Sequence, residues 1–203
     1  MNRTFPAFVR AVIDGEIDVV SRLLTTNPEF ATHRLDVGAT RRTASEFFYQ
    51  DIAHYMYQGD TALHMAAAAF RRPSVELLVH SGAALGAKNR RGAEPLHYAA
   101  DANHWNPAAQ SETIEYLLSV GANPNAADAN GATPLHRAVR TRSAAAVRAL
   151  LAGGADVRAT NTNGSTPYTL AVHDTGRGGA GSTRSREQQA EIQGLLLKAG
   201  ARP

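Results

Sequence analysis

Two short stretches of this 203-residue chain combine residue types and spacing that could do chemistry. Gly176-Arg177-Gly178-Gly179-Ala180-Gly181 matches G-x-G-x-x-G, the pattern in which a tight turn and a helix N-terminus cradle a dinucleotide pyrophosphate. That chemistry needs a strand before the glycines and a helix opening directly after them. Here a short helical stretch precedes them and no βαβ unit surrounds them. Read as a phosphate-binding loop, Gly176 and Gly181 have the right gap, but Ser182 stands where the lysine is required, so a flexible loop is expected. His97, Asp101 and His104 fall at i, i+4 and i+7, which could present three metal ligands on one helical face. Against this, His97 belongs to a recurring motif, and His104 is expected past the helix end beside Trp105 and Pro107. There is no G-x-S-x-G, no H-E-x-x-H and no paired-carboxylate arrangement, and the chain has no cysteine to serve as nucleophile or thiolate ligand. The expectation is a protein that is not an enzyme and holds neither metal nor cofactor.

The elements that would position such residues are repeated. Gly59-Asp60-Thr61-Ala62-Leu63-His64-Met65-Ala66 lines up with Gly92-Ala93-Glu94-Pro95-Leu96-His97-Tyr98-Ala99, with Gly131-Ala132-Thr133-Pro134-Leu135-His136-Arg137-Ala138, and with Gly164-Ser165-Thr166-Pro167-Tyr168-Thr169-Leu170-Ala171. Each is followed by a second apolar stretch and a Gly-Ala turn at Gly82, Gly121, Gly154 or Gly200. The pattern has local physical causes. Thr caps a helix, Pro fits the first turn where its missing N–H costs nothing, Leu opens the buried face, and small alanines let helices approach. Gly before Ala suits the left-handed residue that ends the second helix, and the Asn and Asp residues between repeats are turn formers.

From Gly59 to Gly92, and from Gly131 to Gly164, the step is 33 residues, and on these motifs the chain is similar to the ankyrin-repeat family. The resemblance is close over residues 57–203. It implies an all-α fold, an ankyrin-repeat solenoid of about five helix-turn-helix units, in which the motif histidines His64, His97 and His136 bond backbone between repeats. Residues 1–31 read as an N-terminal capping hairpin, 57–89, 90–128 and 129–161 as repeats, and 162–203 as a C-terminal capping repeat with a Gly-rich insertion, all within one domain. Caps are expected because an open stack would expose an apolar face at each end.

Three insertions interrupt the period: residues 32–56 after the N-terminal cap, the stretch Asp101–Gln110, which lengthens the step from Gly92 to Gly131 to 39, and the glycine-rich run from Thr175 to Arg186. In the first, Thr43-Ala44-Ser45-Glu46 looks like a capping box, and Phe48, Ile52 and Tyr55 follow at helical spacing. With Phe47, Tyr49, His54, Met56 and Tyr57 it is the most aromatic segment of the chain. Its helix is expected either to pack across the first repeats or to serve as a binding surface.

The formal charge is only +3 and arginines are spread along the chain, with lysine confined to Lys88 and Lys198. A nucleic-acid binder would gather its charge on one face. Such a reading would require Arg90, Arg91, Arg137, Arg140 and Arg142 to lie together. The sequence shows neither a signal-peptide run nor a membrane-spanning stretch, so a cytoplasmic monomer is expected, with another protein as partner. In ankyrin repeats the exposed first-helix residues and hairpin tips line a concave groove that usually holds a protein. Carried onto this chain, the first-helix positions are Arg10, Met65, Tyr98, Asp101, Arg137 and Arg140. The tips carry Lys88, Asn89, Arg90 and Arg91, then Asp128 and Asn130, then Asn161 and Asn163. Arg137 and Arg140 lie three apart and are expected to point the same way into solvent, with Arg142 at an exposed helix end. A regulatory or inhibitory subunit acting on an enzyme is the alternative, and a merely solvated face is the bland one.

Overall fold

A computed structural model describes residues 4–101, 106–173 and 183–202. Among the described residues the helices are α1 (Thr4–Asp14), α2 (Ile17–Thr26), α3 (Ala62–Ala68), α4 (Arg72–His80), α5 (Pro95–Ala100), α6 (Pro107–Ser119), α7 (Pro134–Arg140), α8 (Ala144–Ala152), α9 (Pro167–Val172) and α10 (Thr183–Lys198). They pair as antiparallel hairpins and stack in two columns. The odd-numbered helices pack on one another from α1 to α9, and the even-numbered ones from α2 to α10.

Each inner helix after the first starts at a capping box. Thr61, Glu94, Thr133 and Thr166 are the N-caps, and proline occupies the first turn of α5, α7 and α9. The motif histidines close these boxes and also join the repeats. The backbone N–H of Thr61, Glu94 and Thr133 donates to Nδ1 of His64, His97 and His136 at 3.1, 3.1 and 3.2 Å. An N–H donor fixes Nδ1 as the acceptor, so the proton sits on Nε2. Nε2 donates onward to the carbonyls of Ala93, Ala132 and Ser165, at 3.1, 3.1 and 3.0 Å. The backbone role that the resemblance implied for these histidines is thus seen three times. In the last repeat Thr169 replaces the histidine and bonds only locally, accepting from the Thr166 N–H at 2.9 Å.

The core runs the length of the stack between the columns. Leu63, Leu96 and Leu135 from inner helices, and Leu78, Leu117, Leu150 and Leu196 from outer ones, are fully or almost fully buried. Burying each leucine stabilises by about 1.5–3 kcal/mol, which short helices of six or seven residues need because they would not form alone. No helix among the described residues is long and apolar enough to cross a membrane.

The insertion at residues 32–56 departs from expectation. Thr43 makes no cap. A 3-10 turn at Ala44–Phe47 leads into a two-stranded antiparallel hairpin, β1 (Phe48–Tyr49) and β2 (His54–Tyr55), with Phe48 opposite Tyr55 and Tyr49 opposite His54. The governing period is two. Ile52, His54 and Met56 turn inward and are buried, while Phe48 and Tyr55 stack on the outer side with ring centroids 4.7 Å apart. The helical spacing of Phe48, Ile52 and Tyr55 therefore misread a strand alternation.

The hairpin packs across the first repeats. Ile52 and Met56 join the core, the Ala39 N–H donates to the Met56 carbonyl at 2.8 Å, and Arg10 of α1 bonds Asp51. Gly38 permits the approach, since a Cβ there would lie 2.3 Å from the Gln58 nitrogen.

Candidate functional site

The hairpin tips form because each carries an Asn or Asp that builds its own turn. Asn89 Oδ1 accepts from the N–H groups of Arg91 and Ala93 at 2.8 and 3.1 Å. Asp128 Oδ1 accepts from Asn130 and Ala132 at 2.8 and 3.0 Å, and Asn161 Oδ1 from Asn163 and Ser165 at 3.0 Å each. The tips are then tied to one another: the Ala129 N–H donates to the Arg91 carbonyl at 2.8 Å and the Thr162 N–H to the Asn130 carbonyl at 3.0 Å. Gly92 sits at φ +70° with Ala129 so close that a Cβ would come within 2.8 Å of its nitrogen, so no other residue fits there without strain.

Between these tips, the inner helices and the insertion lies a cavity of about 330 Å³. Ala53, His54, Tyr55 and Tyr57 form one wall, the tip residues Asn89, Arg91, Asp128 and Asn130 another, and Tyr98, Asp101, Arg137, Arg140 and Thr141 the helical side. Arg137 is its structural centre. Its Nη1 donates to Asp101 Oδ2 at 2.9 Å and its Nη2 to Asp128 Oδ2 at 3.0 Å, while its buried Nε–H has no acceptor among the described residues. One guanidinium thereby joins the end of α5 to the next hairpin tip. Below it, the Tyr98 hydroxyl donates to Asp60 Oδ2 at 2.8 Å, and Asn89 Nδ2 donates to Asp60 Oδ1 and to the Tyr98 oxygen at 2.9 Å each. The His54 ring lies 4.3 Å from the Tyr98 ring and, at 3.9 Å, its Nε2 faces Asp101 Oδ2.

The electrostatics follow from burial and pairing. Burial alone would raise the Asp101 carboxyl, but Arg137, with His54 and Arg140, overrides it and holds that carboxyl well below the usual carboxylate range. Asp128 follows the same logic: burial opposes ionisation and the Arg137 hydrogen bond restores it, leaving the pKa lowered. Tyr98 is pushed well above the usual phenol value by burial and by the adjacent Asp60 charge. His97, just behind the cluster, is lowered to about 4 by burial and then by Arg137. Both carboxylates are thus ionised and already satisfied by a protein cation. This is the signature of a structural network, and neither is poised to move a proton.

Eight of the sequence-predicted positions meet at the cavity: Asn89, Arg91, Tyr98, Asp101, Asp128, Asn130, Arg137 and Arg140. Five expectations of exposure need correction, Asp101 among them, which keeps only 8% of its surface in solvent. Met65 is fully buried in the core cluster that also holds Ile52 and Met56 of the insertion. Tyr98 lies beneath His54 with only 1% exposed, and Arg137 is drawn inward by its two carboxylates to 9%. Arg137 and Arg140 therefore do not point alike, for Arg140 keeps 45% of its side chain in solvent. Arg142 is likewise buried, in a left-handed conformation, with its guanidinium donating to Ser185 Oγ of α10. With Arg137 and Arg142 buried, the five-arginine face needed for nucleic acid does not form.

Arg90 lies outside the cavity wall, stacked 5.3 Å from the Tyr57 ring and bonded to the Ala39 carbonyl, and Arg10 serves to tie α1 to the insertion. His104 and the glycine run Gly176–Gly181 lie outside the described residues. Among the described residues no group of three or more His, Cys, Asp or Glu side chains is arranged to hold a metal ion. His54 and Tyr55 reach the cavity from the insertion that the sequence leaves as packing or binding surface, while Asp60, given no site role from sequence, holds Tyr98. The alternation Ile52-His54-Met56 was the available signal for His54, whereas nothing local marks Asp60 as the acceptor for a tyrosine 38 residues on.

A search of curated proteins finds no match to the chain. Comparison with protein families matches residues 4–122 and 106–179 to the description "Ankyrin repeats (3 copies)". With its paired helices, histidine-linked repeats and glycine-turned tips matched over most of its length, the chain belongs to the ankyrin-repeat family.

Proposed function

We propose that this protein is a non-catalytic interaction module that binds a partner protein through its concave groove and hairpin tips. Ankyrin repeats are generally protein–protein interaction modules. The observation that supports this site is the cavity itself, where tips, inner helices and the aromatic insertion converge around exposed Arg91, Asn130 and Arg140. Beside it stand Phe48 and Tyr55, two large apolar side chains that are 39% and 37% exposed. Aromatic side chains and arginines next to a polar rim are the composition favoured at protein interfaces.

The test is affinity capture on the immobilised chain, comparing wild type with Arg140→Glu and with Arg148→Glu. Arg148 lies on α8 in the outer column, 61% exposed, and serves as the control. A partner recovered by wild type and Arg148→Glu but lost by Arg140→Glu supports the groove. Equal recovery by all three moves the site elsewhere.

A further inference from the structure

We propose that the cavity beside Arg137 receives a single carboxylate from the partner protein, held by Arg91 and Arg140. The proposal rests on the groove reading and deepens it by naming the chemistry that the groove selects.

Two guanidinium groups on the cavity wall keep hydrogen-bonding capacity. Arg91 is exposed, and its guanidinium has no ion pair or side-chain hydrogen bond among the described residues; its Cζ sits over the Tyr57 ring, 4.1 Å from the centroid. Stacking occupies the face of a guanidinium and leaves its in-plane N–H groups to meet an anion. Arg140 approaches Asp101 Oδ1 only to 3.8 Å, too long for a hydrogen bond, so its donors are also unclaimed. On the same cavity wall, Arg137 carries an Nε–H with no acceptor among the described residues, on a side chain that is nine-tenths buried. Both acids of the cavity wall, Asp101 and Asp128, already face Arg137. The site is thus rich in donors and short of acceptors.

Charge decides between anions. Three arginines and two aspartates line the cavity, leaving one positive charge. A carboxylate neutralises it. A phosphate group brings nearly two negative charges into a partly dehydrated space with two carboxylates, where like charges repel more strongly than in water. The planar carboxylate also matches the fork of an arginine, so an aspartate or glutamate side chain, or a chain terminus, fits the site.

The test records amide shifts of the full chain with millimolar blocked peptides Ala-Glu-Ala and Ala-Gln-Ala, with Ala-Ala-Ala carrying a free C-terminus, and with inorganic phosphate. Saturable shifts from the Glu peptide at Tyr55, Asn130 and Thr141 are expected, with at least tenfold weaker binding of the Gln peptide and of phosphate. The free-terminus peptide separates side-chain from terminal carboxylate as the source. Arg91→Gln and Arg140→Gln, singly and together, should weaken the Glu peptide while leaving the thermal midpoint unchanged. Equal binding of Glu and Gln peptides, tighter binding of phosphate, shifts confined to other surfaces, or no shift at all would each overturn the carboxylate pocket. A partner whose capture depends on Arg140 would leave the groove reading standing in every one of those cases.

Discussion

Arg137 of α7 donates to Asp101 at the end of α5 across 2.9 Å, and both side chains are buried. The same guanidinium reaches Asp128 on the hairpin tip at 3.0 Å, so one cation serves two carboxylates from two different segments.

Removing that cation strands two buried charges. Arg137→Leu is expected to destabilise the fold by about 3–5 kcal/mol, the usual cost of breaking a buried pair from one side. Neutralising the acids as well, in Arg137→Leu with Asp101→Asn and Asp128→Asn, should recover part of the loss because the stranded charges are gone. Urea midpoints on the three proteins decide it. A triple variant weaker than the single one by the full cost of both aspartates would mean that the ion pairs do not account for the loss.

Stability should fall in acid through two separate windows. His97 is held neutral, its pKa lowered from 6.5 to about 4 by burial and then by Arg137. The unfolded chain takes up this proton near pH 6.5 while the folded chain does not, so the contribution is complete above 6.5 and is lost as the pH falls. The loss for His97 reaches about 1.4 kcal/mol one pH unit below 6.5. His64 and His136 are lowered in the same direction, also chiefly by burial, and add to it. Asp101 and Asp128 are lowered for the opposite charge type, so their contribution persists down to the ordinary carboxylate range and disappears only below it. Denaturation midpoints of wild type and His97→Gln across this range should show a shallower upper window for the variant. Identical profiles would mean that His97 titrates normally when folded.

Leu135 and Arg142 should both matter, for different reasons. Leu135 is fully buried between neighbouring repeats, and Leu135→Ala should cost about 2–5 kcal/mol. Arg142→Ala removes a buried donor to Ser185 and should cost on the order of 1–3 kcal/mol. Arg148→Ala, whose partner Glu191 is a surface residue, should stay within about 1 kcal/mol of wild type. If guanidinium denaturation gave Arg142→Ala the midpoint of Arg148→Ala, the contact between the α7–α8 turn and α10 would contribute nothing.

The strand register of the insertion has its own signature. Ile52→Ala should destabilise by about 2–5 kcal/mol because Ile52 is buried in the core cluster. Phe48→Ser should leave stability nearly unchanged, since Phe48 is 39% exposed on the outer side of the hairpin. A helix with Phe48 and Ile52 on one face would penalise both, so comparable losses from the two variants in thermal melts would restore the helical reading.

The repeat, its capping boxes and its glycine turns were legible because each rests on residues within a few positions of one another. Thr133, Pro134, Leu135 and His136 carry cap, first turn, core face and repeat link in four consecutive places. The placement of the candidate positions on tips and inner helices was legible from family register alone, and eight of the fourteen line the cavity. What each side chain does there was not. Arg137 turns inward because of Asp101, 36 residues before it, and Asp128, nine before it, and no local pattern foretells that an arginine will find two buried acids. Met65 and Tyr98 lose the exposure their register predicts, buried in a stack that the insertion also helps to pack, Met65 in the shared core cluster and Tyr98 under His54. The insertion reads as a helix from the spacing of Phe48, Ile52 and Tyr55, but over so few residues that spacing decides little, and burial of Ile52, His54 and Met56 against the stack selects the hairpin. Local spacing determined the scaffold, while long-range desolvation and charge pairing decided which groups face the groove.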